Sequence, residues 1–168
     1  MQSRDAPGRP QLLINIDETN VKLVPQERDG HVSKRAYRLF VKGRPMGRNA
    51  SLAAQRSSIT HVAAICGRPD FQTLLPQVVI AGANQLSDAR LATLRLRAPA
   101  CVRIWKYASA WVTTDIFVRY IRLLGQCLKD FRHTYRIILY VDVLKQHITP
   151  VVLRAASAAN IWMCVIPD

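Results

Sequence analysis

The sequence predicts an α/β protein built on a mixed sheet flanked by helices, and three observations carry that expectation. Two apolar, β-branched runs, Leu12 to Ile16 and Arg136 to Val141, each end in an aspartate, Asp17 and Asp142. Strand and helix patterns alternate through the second half, and strand–helix–strand units favour parallel pairing. At 168 residues the chain is long enough for one domain with a real core, burying roughly 70% of the surface its unfolded form exposes.

In chain order, residues 1–10 carry two prolines, a glycine and two arginines, which suits a flexible lead-in. Leu12 to Ile16 reads as a buried strand. The segment that follows holds Arg28, Lys34, Arg35, Arg38, Lys42, Arg44, Arg48 and Arg56 against Glu27 and Asp29, and its glycines and Pro45 predict loops, with Tyr37 to Val41 as a short strand. Ser58 to Cys66 reads as a strand stopped by Gly67-Arg-Pro69, and Gln77 to Ala81 as another between Pro76 and Gly82. A mixed stretch from Leu86 to Arg97 precedes a short strand, Cys101 to Trp105.

A helix follows, capped by Thr113 or Thr114. Asp115 complements the dipole of its first turn, and Phe117, Tyr120, Ile121, Leu124 and Leu128 recur at helical spacing. Arg119 and Arg122 fall on the other face. After the strand leading to Asp142, Thr149-Pro150 starts a second, alanine-rich helix through Ala159, and Asn160 suits a left-handed terminator. Ile161 to Ile166 is the last strand.

Composition narrows the partners. Twenty-four Lys and Arg against eleven Asp and Glu give a net charge of +13, and the pI is near 10.4. Such a balance points to a polyanion, most simply nucleic acid, with an acidic protein or a merely solubilising charge as the alternative. Cys66, Cys101, Cys127 and Cys164 are widely spaced in apolar stretches, which predicts buried reduced thiols rather than zinc or disulfides. No apolar run approaches the ~18 residues of a membrane span, and residues 1–10 lack the apolar core of a signal peptide. The expectation is a chain without membrane partners, in an intracellular compartment.

Asp17 and Asp142 carry the chemistry. Carboxylates at the ends of adjacent strands would form the nucleus of a divalent-metal site, because magnesium takes one or two protein carboxylates together with waters and phosphate oxygens. The competing explanation is that strands commonly end in a polar residue where a turn begins. Glu18 points away from Asp17 if the strand continues, which gives it a structural or supporting role. His147 either orients Asp142 or a phosphate, or caps the following helix. His61 reads as a hydrogen-bonded core histidine, and Trp105, Trp111 and Trp162 as core residues. The basic stretch from Arg28 to Arg56 either contacts phosphates or faces water. No phosphate-binding Gly-rich loop, dinucleotide fingerprint or nucleophile elbow is present.

The residues around the two aspartates resemble a known family. Ile14-Asn-Ile-Asp17-Glu18-Thr19 looks like the first-aspartate motif of the DDE superfamily of endonucleases and transposases, in its pogo-like and mariner-like branches with a ribonuclease-H-like core. Leu139-Tyr-Val-Asp142 with His147 five residues later resembles the second-aspartate motif. Arg56 to Ile65 is similar to the core strand after the first motif, and Ser109-Ala-Trp111-Val-Thr113 to the Ser-Gly-Trp-Met-Thr lead into that family's long helix. Val143 stands where the family usually has Asn, and Ala110 where it has Gly. The resemblance covers residues 12–167. It implies a ribonuclease-H-like catalytic core over 11–168 that ends before the family's third acidic residue.

The function implied is metal-dependent DNA strand cleavage and transfer in the complete form, with Asp17 and Asp142 jointly holding Mg2+ or Mn2+. Glu18 and His147 would support them, and Lys34, Arg35, Arg38, Lys42, Arg44, Arg48 and Arg56 would bind DNA. A homo-oligomer on DNA ends and a nuclear location belong to the same expectation. The alternatives are a catalytically inactive DNA-binding or interaction protein retaining the fold, and a basic RNA-associated module.

Overall fold

A computed structural model gives the structure of residues 8–22, 58–144 and 147–167. Most of the expected lead-in, the Tyr37–Val41 strand and the whole basic stretch from Arg28 to Arg56 lie outside these described residues.

Six strands and four helices alternate along the described chain: β1 (Gln11–Lys22), β2 (Ser58–Cys66), α1 (Pro69–Gln72), β3 (Gln77–Gly82), α2 (Asp88–Arg97), β4 (Val102–Tyr107), α3 (Thr114–Cys127), β5 (Arg136–Asp142), α4 (Pro150–Ala158) and β6 (Ile161–Ile166). The strands form one mixed sheet in the order β4-β3-β2-β1-β5-β6. β2 is antiparallel to both β1 and β3, whereas β1–β5, β5–β6 and β3–β4 are parallel. The α/β class therefore holds, and the strand carrying Asp17 lies beside the strand carrying Asp142.

One face of the sheet is packed by α3 and α4. In β1 the residues facing them are Leu12, Ile14 and Ile16, all buried, while the intervening Leu13 is 41% exposed. β5 alternates in the same way, burying Ile137, Leu139 and Val141 and leaving Ile138 and Tyr140 half-exposed. These runs were expected to be buried throughout; they are covered on one face. The opposite face is covered only at its β3–β4 end among the described residues, where Leu86 and Leu91 of the α2 region pack with Ala81, Ile59 and Ile104.

α3 forms because its apolar positions fall on one side. Ile116, Phe117, Val118, Tyr120, Ile121 and Leu124 are buried, each fully buried apolar side chain contributing roughly 1.5–3 kcal/mol of transfer free energy. The Thr113 hydroxyl accepts from the Ile116 amide at 3.4 Å, so Thr113 is the cap. Burial raises the Tyr120 phenol well above its ordinary value, with the Cys127 thiol adding to the effect, and the hydroxyl donates to the Pro76 carbonyl. Arg119 stacks on Trp105 at 4.5 Å and donates to the Tyr107 hydroxyl at 2.8 Å.

The stretch from Leu86 to Arg97 contains α2, with Ser87 accepting from the Arg90 amide. α4 begins at Pro150 as expected, but Thr149 caps by backbone position alone; its buried hydroxyl finds no hydrogen-bond partner among the described residues. Asn160 ends the turn with φ 59° and donates to the Arg132 carbonyl, which suits a short polar side chain in the left-handed region.

Several core assignments are corrected. Trp105 is buried, but Trp111 is 71% and Trp162 44% exposed. Trp111 precedes the α3 cap, and Trp162 faces away from the helices on β6. The cysteines are free but not buried: three are half-buried and Cys164 is exposed. His61 is half-buried on the face away from α3 and α4 rather than in the core, since Thr60 and Val62 take the buried positions of β2. No described helix is long and apolar enough to cross a membrane.

At the crossing of α3 and α4, a Cβ on Gly125 would lie 2.6 Å from the Ala159 Cβ, closer than real side chains approach. Gly125→Ala is therefore expected to destabilise the fold by about 1–3 kcal/mol of overpacking, against a helix-propensity gain of about 1 kcal/mol. Thermal unfolding should show a lower Tm for Gly125→Ala and recovery in Gly125→Ala/Ala159→Gly. A higher Tm in the single variant would mean that the helices can part without cost.

Candidate metal site

The β1–β5 register pairs Gln11 with Arg136 and runs to Asn15 with Tyr140. Continued for two more residues, it sets Asp17 opposite Asp142. The two aspartates line one cavity of about 210 Å³ where β5 ends, together with Asn15, Ile16, Ile166 and Pro167; β1 does not end at Asp17 as expected but runs on to Lys22, because β2 continues to pair with it. Each carboxylate is fixed through one oxygen. Asp17 Oδ1 accepts from the Glu18 amide at 2.8 Å, and Asp142 Oδ1 lies 2.7 Å from His147 Nδ1.

Glu18 alternates away from Asp17, onto the helix-covered side of β1, where it is 16% exposed. There its Oε1 lies 3.0 Å from His147 Nε2. The imidazole is thus held between the Glu18 carboxylate on β1 and Asp142 at the end of β5, whose backbone carbonyl also lies 3.4 Å from Nδ1, with the side chain 4% exposed. Its ring stacks on Phe117 at 4.2 Å between centroids and 29° between planes. His147 therefore does not cap α4. Its ring is occupied by Asp142 and Glu18, and only its backbone turns toward Leu144.

A neutral imidazole has one N–H and can donate to one of two carboxylates; the imidazolium donates to both. Burial opposes that charge, but the hydrogen bond and charge of Glu18, with the backbone carbonyl and the carboxylate charge of Asp142, outweigh it and raise the His147 pKa above its ordinary value. Above the ordinary histidine value of about 6.5, the folded protein retains a proton that the unfolded chain has released. The stabilisation is complete below the unfolded value and is lost as pH rises through the higher folded value. In chelator, urea midpoints should therefore fall with rising pH above about 6.5 for the parent relative to His147→Gln. Parallel profiles for the two proteins would refute this linkage.

The structure brings together four predicted site residues: Asp17, Asp142, Glu18 and His147. Lys34, Arg35, Arg38, Lys42, Arg44, Arg48 and Arg56 lie outside the described residues. Sequence reasoning missed Phe117 as the support beneath His147, because its helical spacing marks it only as core. It also missed Asn15, Ile166 and Pro167 as cavity walls. No protein-family model, curated protein or solved structure matches this chain.

The donor set suits a hard divalent cation in part. Two carboxylates on one cavity, Asp17 with Oδ1 on the Glu18 amide and Asp142 with Oδ1 2.7 Å from His147 Nδ1, match the one or two protein carboxylates that magnesium or manganese takes beside waters and phosphate oxygens. Among the described residues, no three His, Cys, Asp or Glu side chains are grouped to hold a metal.

Proposed function

We propose that this chain is the core of a metal-dependent DNA endonuclease or transposase of the DDE type, with a ribonuclease-H-like fold. The observation that carries the reading is the convergence of Asp17 and Asp142, 125 positions apart in sequence, on one cavity where β5 ends beside its parallel neighbour β1. The mixed sheet with β1 at its centre, antiparallel to β2 and parallel to β5, is the arrangement this reading requires. The net charge of +13 suits a phosphodiester substrate.

Asp17 and Asp142 would hold Mg2+ or Mn2+, which supplies Lewis-acid activation of the attacking oxygen and charge stabilisation at the scissile phosphate. The protein's own part is positioning. His147 fixes the orientation of Asp142, and Glu18 fixes His147 in turn, the kind of outer support that tunes a ligand carboxylate. Phe117 holds the imidazole plane from below. The basic residues from Lys34 to Arg56 would contact the DNA backbone, and copies of the chain would assemble on DNA ends in the nucleus.

The alternative the sequence offers is a catalytically inactive DNA-binding or interaction protein that retains the fold. Two measurements separate them. The first reading requires Mn2+ binding by calorimetry and Mn2+-dependent nicking of supercoiled plasmid, both lost in Asp17→Asn and in Asp142→Asn. A parent chain that binds DNA but neither binds Mn2+ nor nicks leaves the second.

A further inference from the structure

Away from the aspartate rim, the helix layer carries a strongly basic surface. A hollow of about 480 Å³ lies between α3 and α4, floored by small residues such as Gly125 and Ala155 and edged by Arg122, Lys129, Arg132 and Arg154. A second hollow of about 370 Å³ lies along α3, where Arg103, Arg119 and Arg122 converge. Arg122 and Gln126 line both, so the two hollows are contiguous. Among the described residues, no carboxylate lines either one.

We infer that this track binds the sugar-phosphate backbone of a nucleic acid. Six cations spread over two joined hollows exceed what one small anion would use, whereas a strand repeats its charge along its length. Five of the six are arginines, whose planar fork matches phosphate oxygens in pairs. Arg119 is already fixed by its stacking on Trp105 and its bond to Tyr107, so its charge is presented without further ordering. An acidic peptide would share the charge, but specific peptide grooves draw their affinity from large apolar anchors in pockets. The α3–α4 hollow offers a floor of glycine and alanine, with Val151 its largest aliphatic side chain. Phosphates need no such anchor. The track shares its ligand class with the proposed function but none of its site residues, so loss of nicking in the aspartate variants leaves it standing.

The test is fluorescence anisotropy of a short labelled DNA duplex with the intact chain, across a salt series. Arg122→Gln/Arg154→Gln should weaken binding on the order of tenfold near ~0.1 M salt and lower the slope of log affinity against log salt by about two. Arg122→Lys/Arg154→Lys should keep most of that slope. Arg90→Gln/Arg97→Gln removes the same charge from exposed positions on α2 and should leave the slope nearly unchanged. Should the first pair fail to fold by circular dichroism, Arg122→Gln and Arg154→Gln alone should each lower the slope by about one. Equal losses in the α2 and track variants would overturn the inference. So would displacement of the duplex by poly-L-glutamate as effectively as by unlabelled duplex at equal charge, which would mark an acidic-peptide surface.

Discussion

Asp142→Asn is expected to lower Mn2+-dependent plasmid nicking by at least roughly 10²–10³-fold, and Asp17→Asn by as much, because preorganised charge at the transition state is usually the largest catalytic contribution. The substitution is selective. The Asn amide oxygen can still accept from His147 Nδ1, which the carboxylate now engages at 2.7 Å, so shape and packing persist while the charge is lost. In chelator, Asp17→Asn should melt no lower than the parent, since like charges lining one cavity repel when no cation lies between them, whereas Asp142→Asn should melt lower where His147 is charged, because it removes a carboxylate that holds the imidazolium. Added Mn2+ should raise the Tm of the parent alone, because a ligand stabilises only the folded state that binds it. His147→Gln provides the contrast. It leaves both carboxylates in place but loosens one, so Mn2+ affinity should fall roughly 10–100-fold and nicking should return at higher Mn2+. Undiminished nicking by either Asn variant would remove the two aspartates from the chemistry.

Phe117→Ala should destabilise the fold by about 3–5 kcal/mol, a large part of the roughly 5–15 kcal/mol available to a domain. The ring is 1% exposed and lies between Tyr120, with parallel planes 6.4 Å apart at the centroids, and His147 at 4.2 Å. Removing it opens a cavity in the main core and takes away the surface on which the imidazole rests. Urea unfolding should register the loss as a lower midpoint with an unchanged slope. Val143→Ala, one residue beyond Asp142 and 43% exposed, should stay within about 0.5 kcal/mol of the parent. A loss below about 1 kcal/mol for Phe117→Ala would mean that the neighbouring side chains close over the gap, against the usual cost of deleting a core aromatic.

Much of the local structure was legible because it rests on local chemistry. β2 and β6 begin and end at the residues expected, Ser58–Cys66 and Ile161–Ile166, since Gly67-Arg-Pro69 and Pro167 interrupt them. Thr113 as a cap and Asn160 in the left-handed region follow from side chains acting on their own backbone. α2 was less legible. Of its ten residues only Leu91 is buried, and Leu94 and Leu96 are 43% and 89% exposed, so its apolar spacing points to no single face. The surface positions of Trp111 and Trp162 were hidden for a related reason: apolar neighbours in sequence do not reveal which side of an element another layer will cover.

The sequence by itself determined the charge, the strand that ends at Asp142, the start of the strand that carries Asp17, and the amphipathic face of α3. These depend on residue type and on the two- and 3.6-residue periods of the backbone. Only the tertiary structure decided that the two aspartates share a rim, because strand order and register are set by packing between segments more than a hundred residues apart. It also decided the use of His147. Proximity in sequence links that residue to Asp142, but its bond to Glu18, 129 residues away, exists only because β1 and β5 are neighbours and Phe117 occupies the space beneath the ring.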